Sequence, residues 1–153
     1  MPSNLNTANL LVRGLKTCGD LYKQEMDGFY PRNGLIDESN LVRLYIEALK
    51  KTSNEDKPNI FAWTEYLNGH NQRVDAVIKV DDDIVLLEAK RIKQGSQFGE
   101  SNADKAISAI GKDAERLYDD KFTKDMLKDL RERKIFTGEV YRVLLSAIWL
   151  YRD

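Results

Sequence analysis

The chain has 153 residues, of which 42 % are apolar and 32 % charged, with 24 Lys and Arg against 25 Asp and Glu. That is enough apolar material for one core and excludes a disordered chain, while 9 glycines and 3 prolines exclude collagen-like and linker-like compositions. A net charge of −1 offers no bulk attraction to a phosphate backbone, so a nucleic-acid reading must rest on local arrangement. No apolar run is long enough to cross a bilayer. Met1-Pro2-Ser3-Asn4-Leu5 lacks the basic start and apolar stretch of a secretory signal. The expectation is a cytoplasmic protein forming a single domain over 1–153, with an N-terminal helix and loop over 1–37 and a core over 38–150. One cysteine, Cys18, and one histidine, His70, exclude an internal disulfide and leave too few ligands for a Cys/His zinc site. A metal held here would take oxygen ligands, as Mg²⁺, Mn²⁺ and Ca²⁺ do. His70 stands in the turn-like Asn68-Gly69-His70-Asn71 and reads as a loop residue.

From Thr7 to Phe29, Leu11, Leu15, Cys18 and Tyr22 step by three and four, with Leu10, Val12 and Leu21 beside them. This spacing predicts an amphipathic helix with Cys18 as a buried small hydrophobe. Gly28, Pro31, Asn33 and Gly34 interrupt the chain. A second helix follows over about Asn40 to Lys51, capped by Ser39 or Asp37. It is apolar around most of its circumference, so it is expected to pack on two sides, and its one polar stripe is Arg43, Glu47 and Lys50. Asn59 to Leu67 is aromatic and β-branched and reads as a strand. Arg73 to Val80 and Ile84 to Arg91 flank Asp81-Asp82-Asp83 and read as a β-hairpin. Asn102 to Tyr118 reads as a helix with Ala103, Ile107, Ile110, Ala114 and Leu117 on one face. Lys124 to Lys134 reads as a short charged helix, and Val140 to Trp149 as a buried strand. The order helix, helix, three strands, helix, helix, strand implies an α/β fold with helices against a mixed sheet.

Pairing across the hairpin puts Asp75 opposite Ala89 if the turn centres on Asp82, and opposite Glu88 if the centre lies half a residue earlier. Side chains alternate along a strand, so Glu88 and Lys90 share a face, and Asp75 can converge with them. The other face, with Val74, Ala76, Ile78, Val80, Val85, Leu87 and Ala89, is expected to be core beneath the helix carrying Ile107 and Ile110. Two carboxylates brought together repel unless a cation lies between them. A hard divalent ion answers that conflict, and a neighbouring lysine can orient water or meet charge developing on a phosphoryl group. On repulsion alone, removing Asp75 in chelator is expected to stabilise the fold.

Asp75 followed across a hairpin by Glu88-Ala89-Lys90 resembles the D…(D/E)-x-K signature of the PD-(D/E)XK nuclease superfamily. The resemblance implies a restriction-endonuclease-like α/β core of order αβββαβ, covering most of the chain from Asn40 to Trp149. It implies a Mg²⁺- or Mn²⁺-dependent nuclease, with DNA favoured over RNA. In that scheme Asp75 and Glu88 hold the metal, Lys90 activates water or stabilises the transition state, and Glu47 on the preceding helix helps to ligate. The alternative for Glu47 is a helical pair with Arg43. Val74 stands where the signature has proline. Lys105 and Lys112 are the candidates for the supporting residue on the following helix. Arg73, Arg91, Lys93, Lys105, Lys112 and Arg116 lie in flanking segments and can supply a basic, substrate-binding rim. A second copy of the chain, or a protein partner, is the other partner class expected. The rival reading keeps the fold but makes the chain a catalytically silent binding partner, such as an immunity or regulatory protein or a subunit of a nuclease assembly.

Overall fold

Two strands of alternating apolar residues, joined by a two-residue acidic turn, organise the molecule. The computed structural model describes residues 3–29, 38–53, 58–67, 73–93, 99–119 and 121–149. In chain order its elements are α1 (Ser3–Phe29), α2 (Glu38–Thr52), β1 (Ile60–Leu67), β2 (Arg73–Val80), β3 (Asp83–Lys93), α3 (Gly99–Asp119), α4 (Lys121–Glu132) and β4 (Val140–Trp149). Ser39 lies inside α2, and Asp37 lies outside the described residues, as does His70.

The four strands form one sheet in the order β1-β2-β3-β4. β1, β2 and β3 are antiparallel neighbours, whereas β4 runs parallel to β3 and is reached through the crossover of α3 and α4. The hairpin pairs Val80 with Asp83 and Ala76 with Leu87, so the turn is Asp81-Asp82. Asp81 takes a left-handed conformation there (φ 50°), which aspartate tolerates better than most residues. β4 was expected to be buried. It is instead an edge strand, and Leu145 is the one buried residue among its described positions.

Each face of the sheet has its own core. Ala76, Ile78, Val80, Val85, Leu87 and Ala89 pack against Leu41, Leu44, Tyr45 and Leu49 of α2, with Leu10, Leu11, Cys18 and Leu21 of α1 in the same cluster. α2 therefore lies between the sheet and α1, which is why its sequence is apolar on two sides. Full burial of a side chain such as Leu44 or Leu87 contributes about 1.5–3 kcal/mol each. The hairpin's apolar face is thus covered by α2 and not by α3 as expected. α3 has a single apolar face whose burial rises along the helix, from Ile107 at 61 % exposure to Leu117 at 3 %. In α1 the buried stripe runs through Thr7, Leu10, Leu11, Cys18 and Leu21, while Val12 and Leu15 point to solvent. Periodicity located that helix, but the position of α2 set its rotation.

The second core holds Val74, Val77, Ile84, Leu86, Leu117, Met126, Leu130 and Phe136, beneath α3 and α4. Val74 joins this cluster against its place in the alternation. Its partner Tyr66 packs there as well, and Glu65 between Thr64 and Tyr66 is left-handed (φ 51°). The ends of β1 and β2 therefore turn together onto the α4 side. Among the described residues no helix is long and apolar enough to cross a membrane.

Candidate functional site

The turn of the β1–β2 end determines what happens at Asp75. The β2–β3 ladder runs as far as Ala76 opposite Leu87. One step further, the same register sets Asp75 opposite Glu88. There the backbone pairing gives way, and the Asp75 Oδ2 accepts a hydrogen bond of 2.7 Å from the Ala89 amide. The carboxylate is thus held in the seam between the strands by the middle residue of Glu88-Ala89-Lys90. Asp75 and Lys90 are half-buried.

Glu88 is 5 % exposed and faces α3. Its Oε1 accepts a 2.6 Å charged hydrogen bond from the Arg116 guanidinium, whose side chain is 42 % exposed. A buried carboxylate needs such a partner, because desolvation otherwise disfavours the charged form strongly. Arg116 is aimed by the clamped end of α3. Its carbonyl accepts from the Thr123 hydroxyl at 3.1 Å, and the next carbonyl, of Leu117, accepts from Arg142 Nε at 2.8 Å. Arg142 also stacks over the Tyr118 ring at 4.6 Å. A basic side chain on the last carbonyls of a helix is a favourable cap. The sequence placed Arg116 only among the flanking cations. Its one distinguishing signal is its position beside Leu117, where the apolar face of α3 is most deeply buried.

The cation that Asp75 and Glu88 call for is therefore supplied in part by the protein. Asp75 is hydrogen-bonded to Ala89 and Glu88 is ion-paired with Arg116, so the bond lost on removing Asp75 opposes the gain expected from relieved repulsion.

The structure places Asp75, Glu88 and Lys90 together at one end of the β2–β3 pair. Glu47 lies in the α1/α2 layer, over the other face of the sheet. It pairs at 3.6 Å with Arg43, which also reaches Glu25 of α1 at 3.6 Å. Arg73 is exposed and pairs with Glu65 at 3.5 Å, and Lys112 is exposed on α3. The side chains of Arg91, Lys93 and Lys105 lie outside the described part of the structure. Among the described residues no group of three or more His, Cys, Asp or Glu is placed to hold a metal ion. Two carboxylates are a sparse set for Ca²⁺, which takes six to eight oxygens, but they suit Mg²⁺, which binds through one or two carboxylates and keeps its waters.

Two further features escaped the sequence. Asp83, read as part of the acidic hairpin turn, is 1 % exposed. Its carboxylate accepts from the Thr7 hydroxyl at 2.6 Å and from the Glu139 amide at 2.8 Å, tying α1 and the start of β4 to the hairpin. Phe61 and Trp63 alternate on β1 with Ala62 between them and are 65 % and 70 % exposed. They border an apolar groove of about 600 Å³ with Tyr66, Leu130 and Ile135. No family model, curated protein or solved structure matches the chain.

Proposed function

We propose that the chain is a divalent-metal-dependent phosphodiester hydrolase with a restriction-endonuclease-like core and DNA as its substrate. The observation that carries this reading is the hydrogen bond of the Asp75 carboxylate to Ala89, which fixes it beside Glu88 and Lys90. Supporting it, α2-β1-β2-β3-α3-β4 follows the αβββαβ order, with α1 in front and α4 inserted. A divalent ion held by Asp75 and Glu88 supplies phosphate polarisation and a water of lowered pKa. Asp75 contributes an oxygen whose direction is fixed by a backbone amide. Glu88 contributes a carboxylate paired with the Arg116 guanidinium. Lys90, two residues on along the strand, meets the negative charge that develops on the phosphoryl oxygens.

The test is cleavage of single- and double-stranded DNA, with RNA in parallel, in Mg²⁺ or Mn²⁺ and again after chelation. Asp75→Ala and Glu88→Ala should each abolish cleavage. Lys90→Ala should slow it by about 10²–10³ while leaving metal binding intact. Glu47→Ala should be nearly silent, because Glu47 is engaged with Arg43.

One observation favours the second reading, a silent nuclease-fold protein that binds a partner protein. The Glu88–Arg116 pair satisfies the buried carboxylate without any metal. If no substrate is cut under any divalent ion and calorimetry finds no metal binding, this reading replaces the first.

A further inference from the structure

Glu88 is buried and also belongs to the candidate metal site, so the partner it holds decides how that site is loaded. Arg116 Nη2 donates to Glu88 Oε1 at 2.6 Å. A carboxylate that is 5 % exposed cannot give up its cation for nothing, because an unpaired buried charge is strongly disfavoured. It can exchange one cation for another. Two cations drawn to the same carboxylate repel, so each weakens the hold of the other.

The two partners differ in freedom. The backbone of Glu88 is fixed in β3, where it is paired with Leu144 of β4. The backbone of Arg116 is fixed as well, because its own carbonyl and that of Leu117 accept from Thr123 at 3.1 Å and from Arg142 at 2.8 Å. The Arg116 side chain is long and 42 % exposed, so its guanidinium can swing off Glu88 while its Cα stays in place. A head group tethered in this way remains at the site after the exchange.

Charge indicates what it meets there. Asp75 and Glu88 bring two formal negative charges to this end of the β2–β3 pair, and Lys90 and Arg116 bring two positive ones. The four cancel. A divalent ion added to them leaves the site positive by the whole charge of the ion, which favours an anion. A guanidinium matches phosphate oxygens through its parallel N–H donors.

We propose that Arg116 is a counter-ion switch: it holds Glu88 in the metal-free protein, yields it to a divalent ion and turns to a phosphate group of the substrate. The proposal rests on the hydrolase reading and deepens it, since it names the residue that makes metal and phosphate bind cooperatively. The effect is reciprocal, because whatever draws Arg116 off Glu88 favours the metal, and the metal in turn favours the phosphate.

The experiment is calorimetric titration of the full chain with Mn²⁺, alone and with thymidine 3′,5′-bisphosphate, a nucleotide that has no phosphodiester bond to cut. The wild type should bind Mn²⁺ about tenfold more tightly with the nucleotide present, inside the usual range for coupled sites. Arg116→Met should bind Mn²⁺ alone more tightly than the wild type and should lose the coupling. Arg116→Lys, which keeps the positive charge, should retain part of the coupling. The proposal is overturned if the nucleotide leaves the wild-type affinity for Mn²⁺ unchanged, a result read without any variant. It is also overturned if Arg116→Met binds Mn²⁺ no more tightly than the wild type, the result expected of a purely structural pair. Coupling that persists in Arg116→Met overturns it too, because metal and phosphate would then be coupled by direct contact. Mn²⁺ binding that Asp75→Ala abolishes and Arg116→Met leaves unchanged overturns the switch and spares the hydrolase. Absence of Mn²⁺ binding in both the wild type and Arg116→Met overturns the hydrolase, and the switch with it.

Discussion

Asp83 and Glu88 are two carboxylates on one strand, 1 % and 5 % exposed, and they are stabilised in opposite ways. Asp83 takes two neutral, fixed donors, the Thr7 hydroxyl and the Glu139 amide, contributed by the two chain segments that meet at the hairpin turn. Gly138 lies against this knot so closely that a Cβ there would collide with Asp83 Oδ1 and come within 2.9 Å of the Asp82 carbonyl. Glu88 takes a guanidinium on a long side chain that is 42 % exposed. One end of β3 is therefore a rigid staple made of groups that cannot leave. The other end is held by a cation on a long, part-exposed side chain. Burial of a carboxylate does not distinguish the two roles, but the mobility and charge of its partner do.

The largest test of that contrast is Asp83→Ala. It orphans the buried Thr7 hydroxyl and the part-buried Glu139 amide, which now meet a carboxylate, and hydrogen bonds to charged groups are worth about 1.5–3 kcal/mol each. Urea unfolding should show a loss of about 3 kcal/mol or more. Gly138→Ala should be comparably harmful, because the Asp82 backbone and the anchored Asp83 side chain have little room to yield.

Arg116→Met comes next. It leaves Glu88 buried without its cation and should cost about 2 kcal/mol, below the full penalty for a buried pair because Arg116 is part-exposed. The double variant Glu88→Met/Arg116→Met should recover part of this loss, with a coupling of about 1 kcal/mol. If Arg116→Met proves more damaging than Asp83→Ala, the division into staple and exchangeable end is wrong. The same variant sharpens the functional reading, because under the proposed hydrolase reading a divalent ion would compete with the Arg116 guanidinium for Glu88. Calorimetry should find Mn²⁺ bound more tightly by Arg116→Met than by the wild type.

Asp75→Ala in chelator should lower stability by about 1 kcal/mol through loss of the bond to Ala89, and Asp75→Asn, which keeps an acceptor, should lower it less. A rise in melting temperature would instead mean that repulsion between the carboxylates dominates.

The smallest effect lies away from both sites. Burial pushes the Cys18 thiol from 9.0 up to about 11, so the folded protein holds it protonated where the unfolded chain ionises it. The stability that Cys18 contributes is therefore complete below about pH 9 and lost as pH rises toward 11. Iodoacetamide at pH 8 should leave Cys18 unmodified in the native protein and alkylate it in urea.

The order of the eight elements was legible in the sequence, because helices and strands announce themselves through local periods of 3.6 and 2. The hairpin could be placed to within half a residue from the alternation of its two runs. The structure adopts the register that, extended one step beyond Ala76 and Leu87, sets Asp75 across from Glu88, and that alignment was legible from spacing alone. The tertiary structure decided everything that depends on distant partners. α2 rather than α3 covers the hairpin's apolar face, because α2 is the helix with two apolar sides. Arg116 reaches Glu88 from 28 positions away because Thr123 and Arg142 fix the end of α3. Asp83 is a staple because Thr7 and Glu139 arrive from opposite ends of the chain. Phe61 and Trp63 stay in water because β1 is an edge that α4 covers only in part. Alternation shows which residues share a face, and only the packing of remote segments determines what that face meets.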